Sequence, residues 1–120
     1  MPKQLKLDVV FGGFGPSILT GSGRRDVIFG GFGDESIDGR GGDDIIFGGF
    51  GDDTILGAAG NDRLFGGFGT DTAVFEGGVD DYTVSVKHGR HFSPVQATVT
   101  DANGDTDKLH GIEKLYFAAD

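Results

Sequence analysis

Every ninth residue from Val10 is apolar: Val10, Leu19, Ile28, Ile37, Ile46, Ile55, Leu64, Ala73 and Tyr82. Two positions before each, the same step gives Asp8, Ser17, Asp26, Glu35, Asp44, Asp53, Asp62, Asp71 and Asp80, acidic at all but Ser17. Seven before, it gives Gly12, Gly21, Gly30, Gly39, Gly48, Gly57 and Gly66. A single apolar residue between polar neighbours reads as a short strand with its central side chain turned inward. The Gly-dense residues between such strands can turn sharply, because glycine reaches positive φ without a steric penalty. The pattern therefore predicts one strand and one turn per nine residues, with two of each closing a coil of 18. Stacked coils would pair as parallel strands about 4.8 Å apart, lining up the inward Ile and Leu side chains along an axis.

A second periodicity separates the turns into two edges. Gly-Gly-Phe-Gly recurs strictly at 12, 30, 48 and 66, whereas the alternate turns are looser: Gly21-Ser22-Gly23-Arg24, Gly39-Arg40-Gly41-Gly42 and Gly57-Ala58-Ala59-Gly60. Phenylalanine follows the same 18-residue step, at 11, 29, 47 and 65 and again at 14, 32, 50 and 68. Strand alternation turns the first set outward, and both sets flank the same Gly-Gly pairs, so two aromatic rows along one edge are expected. Eight exposed rings would exceed the apolar area a soluble monomer usually leaves bare. That edge is expected to be covered by the rest of the chain, by self-association or by a ligand.

The pattern changes after Thr72-Ala73-Val74-Phe75, where glycine thins out. Residues 81–86 and 96–100 alternate as strands, residues 87–94 read as a loop, and Asp101-Ala102-Asn103-Gly104-Asp105 is a turn. An open solenoid end needs covering, so residues 75–120 are assigned as a capping β segment and residues 3–74 as the repeat domain, with room for extension to 83.

Composition sharpens the picture. Glycine supplies 24 of the 120 residues and the formal charge is −9. Both burden a small core, through backbone entropy and through self-repulsion. Abundant carboxylates and no cysteine point to a hard cation as the stabiliser, in place of thiolate metal sites or disulfides. Acids stacked one rung apart repel, and a divalent ion between them removes the conflict. Calcium suits such a site better than magnesium, which prefers small octahedra and keeps its waters. The acidic balance disfavours nucleic acid as a partner, and no apolar run reaches the length of a membrane span. Met1-Pro2-Lys3-Gln4-Leu5-Lys6 is not followed by the apolar run of a cleavable signal peptide.

At its cleanest the unit is Gly48-Gly49-Phe50-Gly51-Asp52-Asp53-Thr54-Ile55-Leu56, which fits G-G-x-G-x-D-x-U-x and resembles the calcium-binding nonapeptide of the repeat-in-toxin (RTX), or haemolysin-type, family. The resemblance spans roughly residues 3 to 83, and residues 104–117 resemble the segment that commonly follows such repeats. It implies an all-β fold, a right-handed parallel β-roll, holding several calcium ions between neighbouring coils. Each ion would take two carboxylates: Glu35/Asp53 and Asp53/Asp71 on one edge, Asp26/Asp44 and Asp44/Asp62 on the other. Carbonyls of the turns would complete the sites, from Gly31 and Gly33; Gly39, Gly41 and Gly42; Gly48, Gly49, Phe50 and Gly51; Gly57, Ala59 and Gly60; and Gly66 and Phe68. Asp8/Asp26 and Asp62/Asp80 are weaker candidates because their outer turns lack the glycines. A Ser17/Glu35 site lacks one acid, and Arg24 and Arg25 weaken a site at Asp26. The resemblance further implies export in an unfolded state by a type I route, and folding outside the cell where calcium is plentiful.

Other readings compete with parts of this one. Asp101, Asn103, Asp105 and Asp107 have the alternate spacing of an EF-hand loop, but Thr106 stands where its glycine belongs and Glu113 falls one place late. His88, His91 and His110 have no cysteine or nucleophile-elbow serine beside them, so no catalytic centre is assigned and the chain is read as a non-enzyme. Arg24, Arg25, Arg40 and Arg63 all fall on the looser edge, which leaves calcium-dependent binding of a polysaccharide or other polyanion as the alternative function.

Overall fold

The nine-residue alternation folds as two facing sheets joined by tight turns, seen in a computed structural model that describes residues 8–15, 17–76, 81–87 and 96–117. The first sheet takes the odd strands of the repeat: β1 (Asp8–Phe14), β3 (Asp26–Phe32), β5 (Ile45–Phe47) and β7 (Arg63–Phe65). The second takes the even ones: β2 (Ile18–Thr20), β4 (Ser36–Asp38), β6 (Thr54–Leu56) and β8 (Thr72–Phe75). All neighbours within this region are parallel and one coil apart, with Val10↔Ile28, Ile28↔Ile46 and Ile46↔Leu64 in register on one side. On the other side Leu19, Ile37, Ile55 and Ala73 align in the same way. No helix occurs among the described residues. The fold is the parallel β-solenoid that the periodicity predicts.

Only the central residue of each short strand is buried. In β2, β4, β6 and β7 its two neighbours are exposed or half-buried. The core is thus a double file, Ile28, Ile46 and Leu64 facing Leu19, Ile37, Ile55 and Ala73. Each file member contributes about 1.5–3 kcal/mol if fully withdrawn from water. Three of the repeat strands, β1, β3 and β8, run longer than the three residues predicted. The β1–β3 ladder continues through Gly13↔Gly31 to Phe14↔Phe32, carrying sheet pairing around the turn.

The flank adds a fifth coil instead of a lid alone. Its strands are β9 (Thr83–Lys87), β10 (Gln96–Thr100), β11 (Thr106–His110) and β12 (Lys114–Phe117). β11 pairs in parallel with β7, setting Leu109 on Leu64, and β12 pairs with β8, setting Leu115 on Ala73. Extending the nine-residue step places Tyr82 in the ladder, but the rung beyond Leu64 belongs to Leu109. Tyr82 instead meets Phe75 and Phe117, with ring centres 5.5 and 5.2 Å away. A bulky phenol fits the rim, where its hydroxyl reaches the Glu76 carbonyl, better than a file of aliphatic side chains. β9 and β10 continue the first sheet antiparallel beyond β11, and Val99 is buried against the end of the core. The residues around the predicted 87–94 loop, including His88 and His91, lie outside those described after Lys87, as does Asp80.

Both phenylalanine rows form. Phe11, Phe29, Phe47 and Phe65 stack at 4.8–5.1 Å, and His110 of β11 ends the row 4.8 Å from Phe65. The second row, Phe14, Phe32, Phe50 and Phe68, stacks at 4.8–5.0 Å with nearly parallel planes. It stays open: Phe14 is 89% exposed, Phe68 69%, and even the inner Phe32 and Phe50 46%.

Candidate metal centre

The acid two positions before each inward Ile or Leu is buried, although nothing in the primary pattern requires it. Asp26, Glu35, Asp44, Asp53, Asp62 and Asp71 are all at most 2% exposed. Backbone geometry explains how they are held. In Asp44, Asp53, Asp62 and Asp71 one carboxylate oxygen accepts the backbone N–H of the equivalent residue one coil before. Asp44 takes that of Asp26 (2.9 Å), Asp53 that of Glu35 (2.8 Å), Asp62 that of Asp44 (2.9 Å) and Asp71 that of Asp53 (2.9 Å). The sequence-predicted pairs Glu35/Asp53, Asp53/Asp71, Asp26/Asp44 and Asp44/Asp62 are therefore brought together as predicted neighbours.

The second oxygen is the chemical anomaly. Oδ2 of Asp44, Asp53, Asp62 and Asp71 and both carboxylate oxygens of Glu35 are buried without any hydrogen-bond donor. Leaving such an atom unpaired costs on the order of 1–3 kcal/mol, more for a charged group. The carboxyls respond as buried acids do. Burial pushes Asp44 up to about 8, Asp62 to about 9, and Asp53 and Asp71 to about 7. The N–H contacts pull part of this back, and facing acids of adjacent coils add to it. Glu35 is raised for the same leading reason, burial.

Glycine at the first turn position lets a carboxylate and the next coil approach closer than any side chain would allow. A Cβ at Gly48 would stand 2.6 Å from Asp53 Oδ2 and 2.7 Å from the Gly66 carbonyl oxygen of the next coil. At Gly21 the walls are Asp26 Oδ2 at 2.5 Å and the Gly39 carbonyl at 2.7 Å; at Gly30 they are Glu35 Oε1 and the Gly48 carbonyl. A carboxylate oxygen of one turn and a carbonyl oxygen of the next coil thus close in on the same glycine, and these are the two donor types calcium takes. The residues present fit that ion. Among the described residues no three His, Cys, Asp or Glu side chains converge, so carbonyls are needed to complete coordination.

The edges differ at their ends. Gly12 faces the Gly30 carbonyl and Leu19 Cδ1, with no carboxylate; Ser17, in the acid's place, donates its hydroxyl to the Gly15 carbonyl. Asp26 is satisfied locally, Oδ2 by the Ser22 N–H and Oδ1 by the Ser22 hydroxyl. That local bonding, more than Arg24 or Arg25, sets it apart from its ladder mates. Asp8 pairs in register with Asp26. Among the carbonyl candidates, Gly39, Gly48 and Gly66 face cradles directly, while those of Gly31 and Gly49 already accept the N–H of Phe50 and Phe68. Gly33, Gly41, Gly42, Phe50, Gly51, Gly57, Ala59, Gly60 and Phe68 occupy the same turns. Arg25, Arg63 and Lys108 share a surface groove with Asp43, Asp44 and Asp62, which mixes the two signs where the basic residues gather.

Two features lie beyond the sequence expectations. The flank extends both acidic ladders: Asp107 accepts the Asp62 N–H (2.8 Å) and Glu113 the Asp71 N–H (2.7 Å). Asp107 is itself pushed up to about 6, chiefly by burial. The signal was present as Asp107-Lys108-Leu109 and Glu113-Lys114-Leu115, which repeat the acid-x-apolar triplet. The loop of the EF-hand alternative is flanked by the strands β10 and β11 in place of helices, and Asp101 caps their turn by accepting the N–H groups of Asn103 and Asp105. Separately, the acid or amide one residue earlier makes an outer ladder. Asp34 accepts from Asp52 N–H, Asp52 from Thr70, Asp43 from Asn61 and Asn61 from Thr106.

The RTX calcium-binding nonapeptide repeat (4 copies) matches residues 11–46 and 38–73. A solved structure with a similar chain is the extracellular lipase LipA from Serratia marcescens, at 24% identity and a TM-score of 0.41 over 85% of this chain. The match takes in only 14% of that lipase's length. No curated protein matches the chain.

Proposed function

Since this chain belongs to the RTX calcium-binding nonapeptide repeat family, we propose that it is a module folded by calcium, part of a protein exported by a type I route. The ions would sit in the cradles between Glu35, Asp53 and Asp71 on one edge and between Asp44 and Asp62 on the other. A weaker cradle lies at Asp26. The observation that carries this reading is the row of buried carboxylate oxygens without a donor, each packed against the glycine that opens its turn. Protonation or a cation must relieve them, and at neutral pH outside the cell calcium is the available hard cation. Its binding energy then becomes folding energy. Residues 75–120 would act as the cap. Nothing in the site supplies a nucleophile or a proton-transfer pair, so the module's role is structural and regulatory, with any catalysis carried by other parts of a longer protein.

Far-UV circular dichroism titrated with calcium from a chelated start tests the proposal. A cooperative gain of β signal is expected, with a midpoint near the ~10⁻⁴–10⁻³ M typical of extracellular modules. A β spectrum that persists unchanged in excess chelator would refute it.

The open phenylalanine row supports a second reading, self-association of calcium-loaded chains through that edge. Four exposed stacked rings form an apolar strip with the same period on every copy. The charge of −9 keeps metal-free copies apart, and each bound ion cancels two of those charges.

A further inference from the structure

The first-edge cradles repeat one construction. At Gly48 the walls are Asp53 Oδ2 and the Gly66 carbonyl of the following coil. At Gly66 the same two walls recur, with Asp71 Oδ2 at 2.5 Å and, as the second, the carbonyl of Gly111. Gly111 belongs to the flank, far past residue 73 where the repeat match ends. Asp71 is fully buried and its Oδ2 has no partner. Its N–H is held by Glu113 at 2.7 Å, as the Asp53 N–H is held by Asp71. Glu113 therefore stands where a further repeat would place its aspartate. The turn from Gly111 to Glu113 is shorter than a repeat turn, and the extra methylene of glutamate suits the longer reach. On the opposite edge Asp107 plays the matching hydrogen-bonding part, but the atoms nearest a Cβ at Gly57 all belong to Asp62.

Resting on the calcium reading above, we infer that Asp71, Glu113 and the Gly111 carbonyl form a terminal calcium site outside the nonapeptide repeat. Glu113 is exposed, so water completes the coordination, as calcium readily allows. The site ties the cap to the metal: the last repeat coil and the flank would share one ion.

The test counts calcium ions bound to the full 120-residue chain by isothermal titration, alongside the circular-dichroism midpoint. Glu113→Gln keeps an oxygen that can accept the Asp71 N–H and removes only the charge. It should bind one ion fewer than wild type while the repeat coils still fold. An unchanged ion count and midpoint overturns the inference. Should Glu113→Gln fail to fold, Glu113→Asp decides: folding regained at higher calcium upholds the site, and persistent failure overturns it. Asp53→Asn serves as the control within the repeat. A wild-type chain that binds no calcium sinks the family-based reading itself, an outcome distinct from one in which only Glu113 is silent.

Discussion

Positive φ recurs at the second position of the turns after the first on each edge, and the two edges meet that requirement differently. The first edge uses Gly31, Gly49 and Gly67, whereas the second uses Arg40 at φ 63° and Ala58 at φ 66°. A side chain there costs about 1–2 kcal/mol, partly offset by the greater unfolded entropy of glycine. Ala58→Gly should therefore stabilise the calcium-loaded protein by about 0.5–1 kcal/mol, read as a rise of a few degrees in thermal midpoint. Gly49→Ala should do the reverse and more strongly, since its Cβ would run into the Gly31 carbonyl. A lower melting point for Ala58→Gly would show that the turn is not strained. At this scale the inner acids were legible because their spacing is strict. The outer ladder of Asp34, Asp52, Asp43 and Asn61 was not, because a polar residue beside an Asp in a turn looks like ordinary solvated surface.

Among the elements, the repeat strands were readable and the fifth coil was not. Ile28, Ile46 and Leu64 recur at a fixed step, so their strands follow from counting. Leu109 and Leu115 stand six apart instead of nine, and the first lies 45 residues beyond the Leu64 it covers. Only the pairing partner reveals that they are rungs. The phenylalanine rows were visible as a period, but their exposure depended on where the flank went. It supplied His110 to the inner row and left the outer one bare. In calcium, analytical sedimentation should show association for the wild type and a monomer for Phe32/Phe50/Phe68→Ser. A wild-type monomer whose rings react with a surface-footprinting probe would count against a self-associating edge.

For the molecule as a whole, the buried acids set two opposed responses to pH. Without metal, the carboxyls of Asp44, Asp53, Asp62 and Asp71 are raised to about 7–9 from 3.8, so the folded chain binds more protons than the unfolded one between those limits. Their contribution to stability is fully present below pH 3.8 and is lost as pH rises through about 7–9. Chelated protein should gain β signal when taken from pH 8 to pH 5, while calcium-loaded protein should need more calcium to stay folded, because protons compete for the same oxygens. Chelated protein that loses structure over that acid shift would contradict the burial of these groups. Chain distance adds a kinetic asymmetry. Successive acids of the repeat meet across 18 residues, but Asp62 meets Asp107 across 45. Closing the longer loop costs only about 0.8 kcal/mol more, roughly a fourfold slowing. That is less than the ~1.5–3 kcal/mol from burying one leucine, and docking the flank buries Leu109. Each central repeat rung buries an Ile or Leu of the same worth at the smaller closure cost, so nucleation is favoured within the central repeat coils, and the flank and the N-terminal coil should join later. Pulse-labelled hydrogen exchange should find amides of β3 to β7 protected before those of β11 and of β1 and β2, so that this short fibre-like stack grows outward from its middle.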